Sequence, residues 1–217
     1  MRVMTTLAVL AGLLLPEACL ADEAETKPGW TLRTGDEPLH ALAKQRLRGS
    51  VMVFGGPMVS ARLGRIFEGN LDDGISPAGF LGFAGSYEIA RRGPFSVELE
   101  GGVGGLFGRR RSVTSPQVWL AAFGRYDGFP WNDYVRTSVA ASVGVNWSHR
   151  RSTSEHTREG PTKRLLHYLA PEISFAAPSR PDQELVARLH HRSSVWGLFG
   201  CKRCALNVLT LGLRQRF

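Results

Sequence analysis

The sequence predicts an all-β fold: an eight-stranded antiparallel transmembrane β-barrel of the outer-membrane type, preceded by a cleaved signal peptide. Three observations predict it. The chain begins with an export signal, yet no later segment has the about 18 consecutive apolar residues that a transmembrane helix needs. A series of β-rich runs follows residue 49, and the clearest of them alternate apolar and polar residues with the period of a strand. The non-apolar faces of these runs carry charges at strand centres, which a soluble apolar core would exclude.

The N-terminal segment has the pattern of a secretory signal peptide. Arg2 precedes an apolar run from about Thr6 to Leu15, and a small-residue site ends at Ala21. We therefore assign residues 1–21 to a signal peptide, residues 22–48 to a polar periplasmic lead segment and residues 49–217 to the barrel. Export without a spanning helix is equally compatible with a soluble periplasmic protein, so the strand pattern has to decide between the two classes.

Eight β-rich runs are expected after residue 49, and closed bacterial barrels have an even number of strands. The runs lie near residues 50–60, 78–91, 94–106, 115–126, 134–147, 164–177, 184–195 and 207–217. The fifth and the last alternate most clearly. Pro57 and Pro171 interrupt the first and sixth runs, and either could mark a bulge that reverses the facing of the residues after it.

Three further features favour a membrane barrel over a soluble sheet. The chain ends on Phe217, an aromatic terminus in the apolar register of the last run, as in outer-membrane proteins. The connections alternate between short and long, like periplasmic turns and external loops. Charges at inward positions can pair across a barrel of this size, which side chains fill. These charged residues are Glu98, Glu100, Arg136, Glu172, Glu184, Arg188 and Arg214.

The seventh run places a histidine and a serine on the apolar side of the sheet. With the N-terminus in the periplasm, this run ends at the outer surface, and its odd positions are apolar except for His191 and Ser193. Both are therefore expected to face lipid near the outer leaflet, where polar side chains are costly and suggest a functional site. Histidine can take the proton of a serine hydroxyl, which then attacks an ester. The alternative is that both residues simply sit among the lipid headgroups.

Three stretches resemble the PagL family of outer-membrane lipid A 3-O-deacylases: Gly49–Gly56, His190–Ser193 and Asn207–Phe217. The resemblance implies an eight-stranded barrel with Ser193 as nucleophile and His191 as general base on the outer face of the penultimate strand. It also implies lipid A as the substrate.

The chain departs from the family pattern at two places. Ser194 stands where the family has an asparagine after the serine, and it is the candidate for substrate contact at that position. The family orients its histidine with a downstream glutamate, whereas no Asp or Glu follows Ser193 in this chain. Asn207, in the lipid-facing register of the last run, is the candidate for the orienting role.

Basic residues gather in the predicted external loops, and the whole chain carries a net charge of +8. We expect Arg109, Arg110, Arg111, Arg150 and Arg151 to contact the phosphates of lipopolysaccharide, because arginine is suited to holding phosphate. Nonspecific binding to an anionic surface explains the same loops equally well. The other expectations are a monomer in the outer membrane of a Gram-negative bacterium, with no nucleic-acid partner, no metal and no cofactor.

Cys201 and Cys204 form a C-x-x-C pair, which in an oxidising compartment favours a local disulfide. A redox motif or half of a zinc site are the weaker alternatives. For the whole chain, the leading hypothesis is a lipid A 3-O-deacylase-like esterase. The rival is a non-catalytic barrel that binds lipopolysaccharide or stabilises the envelope. A phospholipase with the same chemistry is a third possibility.

Overall fold

The computed structural model describes residues 31–32, 48–70, 74–108, 113–149, 163–200 and 204–217. The predicted signal peptide and all of the predicted lead segment except Thr31, Leu32 and Arg48 lie outside these residues. Within the described ranges, no helix is both long enough and apolar enough to cross a membrane.

Most of the described residues belong to one antiparallel sheet. Its strands are β1 (Thr31–Leu32), β2 (Gly49–Val59), β3 (Ile75–Arg92), β4 (Phe95–Phe107), β5 (Val113–Tyr126), β6 (Arg136–Ser148), β7 (Leu165–Leu169), β8 (Glu172–Ala176), β9 (Gln183–Ser193) and β10 (Ala205–Arg216). A short helix, α1 (Leu63–Phe67), lies between β2 and β3, and a 3₁₀ turn (Val195–Gly197) follows β9.

The sheet closes on itself. Each strand from β2 to β10 pairs with its neighbours in the chain, with β7 and β8 sharing the place between β6 and β9. β10 then pairs with β2, and the backbones of Gly49 and Phe217 exchange two N–H···O hydrogen bonds of 2.9 Å. The predicted eight-stranded antiparallel barrel is therefore confirmed. The two-residue β1, which pairs with β3 at Ala90 and Arg91, is an addition that the sequence pattern did not predict.

β7 and β8 form one barrel strand, which Pro171 interrupts without a bulge. The pairing register against β6 and β9 is the same on both sides of the proline. The Pro171 carbonyl still accepts a hydrogen bond from the amide of Leu189 at 3.0 Å. Residues with odd numbers therefore face outward along the whole strand. Pro57 behaves differently, because the pairing of β2 with β3 shifts in register between Pro57 and Val59.

Large apolar side chains cover the outside of the barrel wall. Examples from different strands are Val53, Phe83, Leu120, Leu211 and Leu213, all of which are exposed. In water such a surface would be unfavourable, since exposed apolar patches of this extent mark interaction with a partner or with lipid. A closed barrel also satisfies its backbone hydrogen bonds internally, as a bilayer requires.

Charged side chains fill part of the interior. Glu172 accepts hydrogen bonds from Arg125 at 2.6 Å, from Arg188 at 2.6 Å and from Arg214 at 2.8 Å. Arg188 also donates to Glu100, at 2.7 Å. The predicted interior pairing is thus found for six of the seven charged positions, because Glu98 and Glu184 are paired as well.

Arg136 is the exception. It was expected in the interior but is exposed, because it begins β6 and lies at the rim. Its place in the network is taken by Arg125 and Arg216, which sequence reasoning did not select.

The end of β9 corrects a strand boundary next to the site. The seventh run was expected to continue to Val195, whereas β9 ends at Ser193 and the chain turns. Val195 has φ of 44°, in the left-handed region that is unfavourable for a β-branched residue. A strained residue therefore follows Ser193 closely.

Candidate functional site

The candidate site lies where three neighbouring strands present polar side chains on the outward register. His191 on β9 is opposite Asn207 on β10 and Leu169 on β7. Ser193 is opposite Ala205 on β10 and His167 on β7. Because residues directly opposite each other in an antiparallel pair point to the same face, two imidazoles, a hydroxyl and an amide share one patch of the outer wall.

The adjacent residues His190 and His191 point to opposite sides of the barrel wall. His190 points inward, where it is fully buried and its ring lies 4.4 Å from that of Phe80 and 4.8 Å from that of Tyr168, centroid to centroid. His191 points outward. Of these two histidines, only His191 lies on the same face of the sheet as Ser193.

Asn207 holds the ring of His191. The Nδ1 atom of His191 lies 2.5 Å from the Oδ1 atom of Asn207, and the Nδ2 atom of Asn207 donates to the carbonyl of Ala61 at 2.7 Å. Since an amide oxygen can only accept, Nδ1 carries the hydrogen and donates it. The second ring nitrogen, Nε2, is then the unprotonated one in the neutral imidazole, as a general base requires.

The outer wall is covered at this point, although its register faces outward. His191 and Asn207 are each 5% exposed, and Ala61 is 1% exposed. The connection after β2 reaches Asn207 through the Ala61 carbonyl and so lies against the wall. Ser193 and His167 remain partly exposed. Both side chains therefore lie on the outward register, as expected, but His191 is sheltered whereas Ser193 is accessible.

Two contacts are absent from the described part of the chain. No carboxylate there pairs with His191, so the neutral amide of Asn207 takes the place that a triad gives to an acid. No hydrogen bond joins Ser193 to His191 in the same residues. Side chains two apart on a strand start roughly 6.5–7 Å apart at their Cα atoms, and catalytic hydrogen bonds often tighten only when substrate binds.

The turn after Ser193 offers a backbone donor. The amide of Val195 has no acceptor among the described residues, whereas the amide of Gly197 donates to the carbonyl of Ser194 at 3.1 Å. The amide of Ser194 donates to the carbonyl of Cys204 at 3.0 Å. This bond ties the turn to the start of β10.

The remaining predicted site residues are placed as follows. Ser194 is buried. Cys204 is disulfide-bonded and buried, while its expected partner Cys201 lies outside the described residues. Arg109, Arg110, Arg111, Arg150 and Arg151 also lie outside them. No group of three or more metal-binding side chains occurs in the described ranges.

Sequence reasoning did not select two residues that the structure brings to the site. His167 shares the outward register, but its facing depended on whether Pro171 shifts the strand. Ala61 contributes only a backbone carbonyl from a connection, and a carbonyl leaves no signal in a residue pattern. The alternation of the sixth run already predicted an outward His167 unless Pro171 shifts the strand, but not its pairing with Ser193. Nothing in the sequence would have found Ala61.

The closed barrel, its apolar outer wall and its filled charged interior define the class of protein: an eight-stranded β-barrel of the outer-membrane type. This fold confirms the predicted location in the outer membrane of a Gram-negative bacterium.

Comparison with known proteins supports the class. No protein-family model and no curated protein matches the chain. Among solved structures, it is similar to the outer membrane enzyme PagL, with 12% identity and a TM-score of 0.54 over 77% of this chain and 99% of that one. Neisserial surface protein A is similar with 12% identity and a TM-score of 0.46, covering 78% of this chain and 96% of that one. Ail of Yersinia pestis has 13% identity and a TM-score of 0.42, covering 78% and 98%. At these identities the likeness concerns the fold alone.

Proposed function

We propose that the protein is a serine esterase that hydrolyses an acyl ester of lipid A in the outer leaflet, as a 3-O-deacylase does. The observation that carries this proposal is the hydrogen bond between His191 and Asn207, which sets the ring tautomer next to an accessible serine on the outer wall. The hydrogen bond from Asn207 to the Ala61 carbonyl fixes the amide, so the ring of His191 is held in one orientation. The fold shared with the enzyme PagL is a second support.

In this mechanism the Nε2 atom of His191 takes the proton of Ser193 as the hydroxyl oxygen attacks the ester carbonyl. The tetrahedral intermediate then collapses, the bond between the carbonyl carbon and the sugar oxygen breaks, and the sugar oxygen gains a proton. Water hydrolyses the acyl-serine in a second attack, which releases a fatty acid and restores the hydroxyl. His191 holds the serine proton during the attack and is neutral again at the end of the cycle.

The negative charge on the carbonyl oxygen needs donors that are already in place. The amide of Val195, two residues after the nucleophile, is the candidate for this role. Preorganised donors of this kind are worth about 10²–10³-fold in rate each. The left-handed conformation of Val195 fits this role, since strain is often retained where a turn has to hold backbone groups in place.

A second candidate function is a non-catalytic barrel that binds lipopolysaccharide or stabilises the envelope. The neutral Asn207 in place of a carboxylate favours it. An amide can orient the ring but does not neutralise the imidazolium that forms, as the acid of a serine–histidine–aspartate triad does. The proposed esterase is therefore expected to be slow.

The test is mass spectrometry of lipid A from Gram-negative cells that produce the wild-type chain, Ser193→Ala or Ser76→Ala. Ser76 is a matched control, because it is a partly buried serine near the start of β3. We expect the wild type and Ser76→Ala to remove one hydroxyacyl chain and Ser193→Ala to remove none. Identical lipid A from all three strains, with each barrel folded in the outer membrane, would exclude the lipid A esterase and leave the binding barrel. Serine-dependent release of fatty acid from glycerophospholipid alone would assign the site to a phospholipase.

A further inference from the structure

His167 gives the site a second imidazole next to the nucleophile. It is the register partner of Ser193 across the β7–β9 pair, so the Cβ atoms of the two residues are separated by roughly 4.5–5.5 Å. His191 lies two residues before Ser193 on the same outward face of β9, so the two imidazoles flank the serine from neighbouring strands.

The surroundings of the two rings differ. His191 is buried and its Nδ1 hydrogen is committed to Asn207. His167 is partly exposed, and no hydrogen bond or ion pair fixes its ring among the described residues. The facing residue on β6 is the apolar Val145. One imidazole is thus held to accept a proton, whereas the other can exchange protons with interfacial water.

Because Asn207 is neutral, a proton taken up by His191 is not compensated by a carboxylate. A single histidine would also have to deliver that proton to the leaving oxygen from the position in which it accepted it. A second imidazole removes this second requirement, because one ring can accept the serine proton while the other donates to the departing group.

We propose that His167 is the general acid of the proposed esterase and protonates the alcohol oxygen of the ester as it leaves. This inference rests on the proposed function. In this step His167 begins as the imidazolium and His191 as the neutral imidazole. His191 accepts the proton of Ser193, the serine oxygen bonds to the carbonyl carbon, the bond to the alcohol oxygen breaks, and His167 transfers its proton to that oxygen. In the second half, His167 takes a proton from the attacking water and His191 returns its proton to Ser193. Each imidazole ends in its starting state.

The test compares two esters of the same acyl chain, one of an alkyl alcohol and one of p-nitrophenol, with purified barrels in detergent micelles. An alkyl alkoxide is a poor leaving group that needs a proton, whereas p-nitrophenolate leaves without one. General acid catalysis contributes about 10²–10⁴-fold. For His167→Gln we expect kcat/KM to fall about 100-fold with the alkyl ester and less than about 3-fold with the p-nitrophenyl ester.

Four other variants make the outcomes separable. His191→Gln should lower kcat/KM for both esters, and Ser193→Ala should abolish both. His149→Gln is the matched control, since His149 lies just beyond the end of β6 against Trp147, and it should change neither rate. Imidazole added to a His167→Gly variant should restore alkyl ester hydrolysis in part.

An equal loss of both rates in His167→Gln, or no loss in either, would overturn the general-acid role and leave the proposed esterase standing. Hydrolysis of both esters that persists in Ser193→Ala, or no hydrolysis by the wild type, would overturn the proposed function and the role of His167 with it. A merely structural effect of His167 would not distinguish the two leaving groups.

Discussion

Replacing Asn207 by aspartate tests the proposed site most directly, because the substitution supplies the charge that the site lacks. The Oδ1 atom of Asn207 already lies 2.5 Å from Nδ1 of His191, so Asn207→Asp places a carboxylate oxygen there without moving the backbone. The carboxylate keeps the ring tautomer and adds an attraction to the imidazolium that forms when Ser193 gives up its proton.

The size of the effect follows from Coulomb's law. Two unit charges about 4 Å apart interact by about 4 kcal/mol at an effective dielectric constant of about 20. Since about 1.4 kcal/mol corresponds to a tenfold change in rate, the upper limit is roughly 10³-fold. Part of this gain is lost, because aspartate cannot donate to the carbonyl of Ala61, which Asn207 does at 2.7 Å. That hydrogen bond is worth about 0.5–1.5 kcal/mol, and without it the carboxylate is held less firmly against the ring. We therefore expect Asn207→Asp to be about 10- to 100-fold faster than the wild type.

The measurement is kcat/KM for a p-nitrophenyl ester, with Asn207→Ala as the opposite change. Asn207→Ala frees the ring and should be at least about tenfold slower than the wild type. Asn146→Asp is the matched control, because Asn146 lies beside the inward-facing His190, 3.5 Å from its Nε2 atom. It should leave the rate unchanged. A folded Asn207→Asp variant no faster than the wild type, together with an Asn207→Ala variant of wild-type rate, would refute the orienting role of Asn207.

Two further predictions concern the barrel itself. Glu172→Gln removes the charge that three buried arginines share, so we expect a loss of about 3–5 kcal/mol in the free energy of unfolding, seen as a lower temperature of the folded-to-unfolded gel shift. In the same assay, Asp182→Asn, at a partly exposed carboxylate outside this network, should change stability by less than about 0.5 kcal/mol, and an equal effect of both would contradict the network's role. Gly56→Ala should destabilise the barrel by about 1–3 kcal/mol, because a Cβ atom there would lie 1.9 Å from the carbonyl oxygen of Leu209. Gly79→Ala, whose Cβ would have no neighbour closer than 3.8 Å, should be tolerated, and equal stability of the two variants would refute the steric argument.

The strand pattern was sufficient to predict the barrel and the outward register of the candidate pair. Alternation has a period of two, so a strand with one apolar face specifies where each of its residues points. β9 shows this well: Leu185 is exposed and Arg188 is buried, as their parity requires, and His191 and Ser193 inherit the outward side. The inward charges followed from the same parity, apart from Arg136 at the rim.

What the pattern could not provide was the pairing between strands. The facing of His167 depended on Pro171, because a proline within a strand either marks a bulge or simply omits one donor. The structure has the second arrangement: the register against β6 and β9 is unchanged across the proline. Only the cross-strand register then reveals that His167 is opposite Ser193, 26 positions apart in the sequence.

The covered state of His191 has a further consequence for how such a site can work at a lipid surface. A base that faced the acyl chains directly would have to become charged in a medium that disfavours charge. The connection after β2 fixes Asn207 through the Ala61 carbonyl, and His191 is sheltered beside Asn207, while Ser193 stays accessible. Ser193 and His191 thus have different surroundings, although they lie two residues apart on one strand. A change in the connection that carries Ala61 should therefore alter the rate of the proposed esterase, although neither Ser193 nor His191 is changed. Two polar residues that merely lie at the membrane interface would not respond in this way.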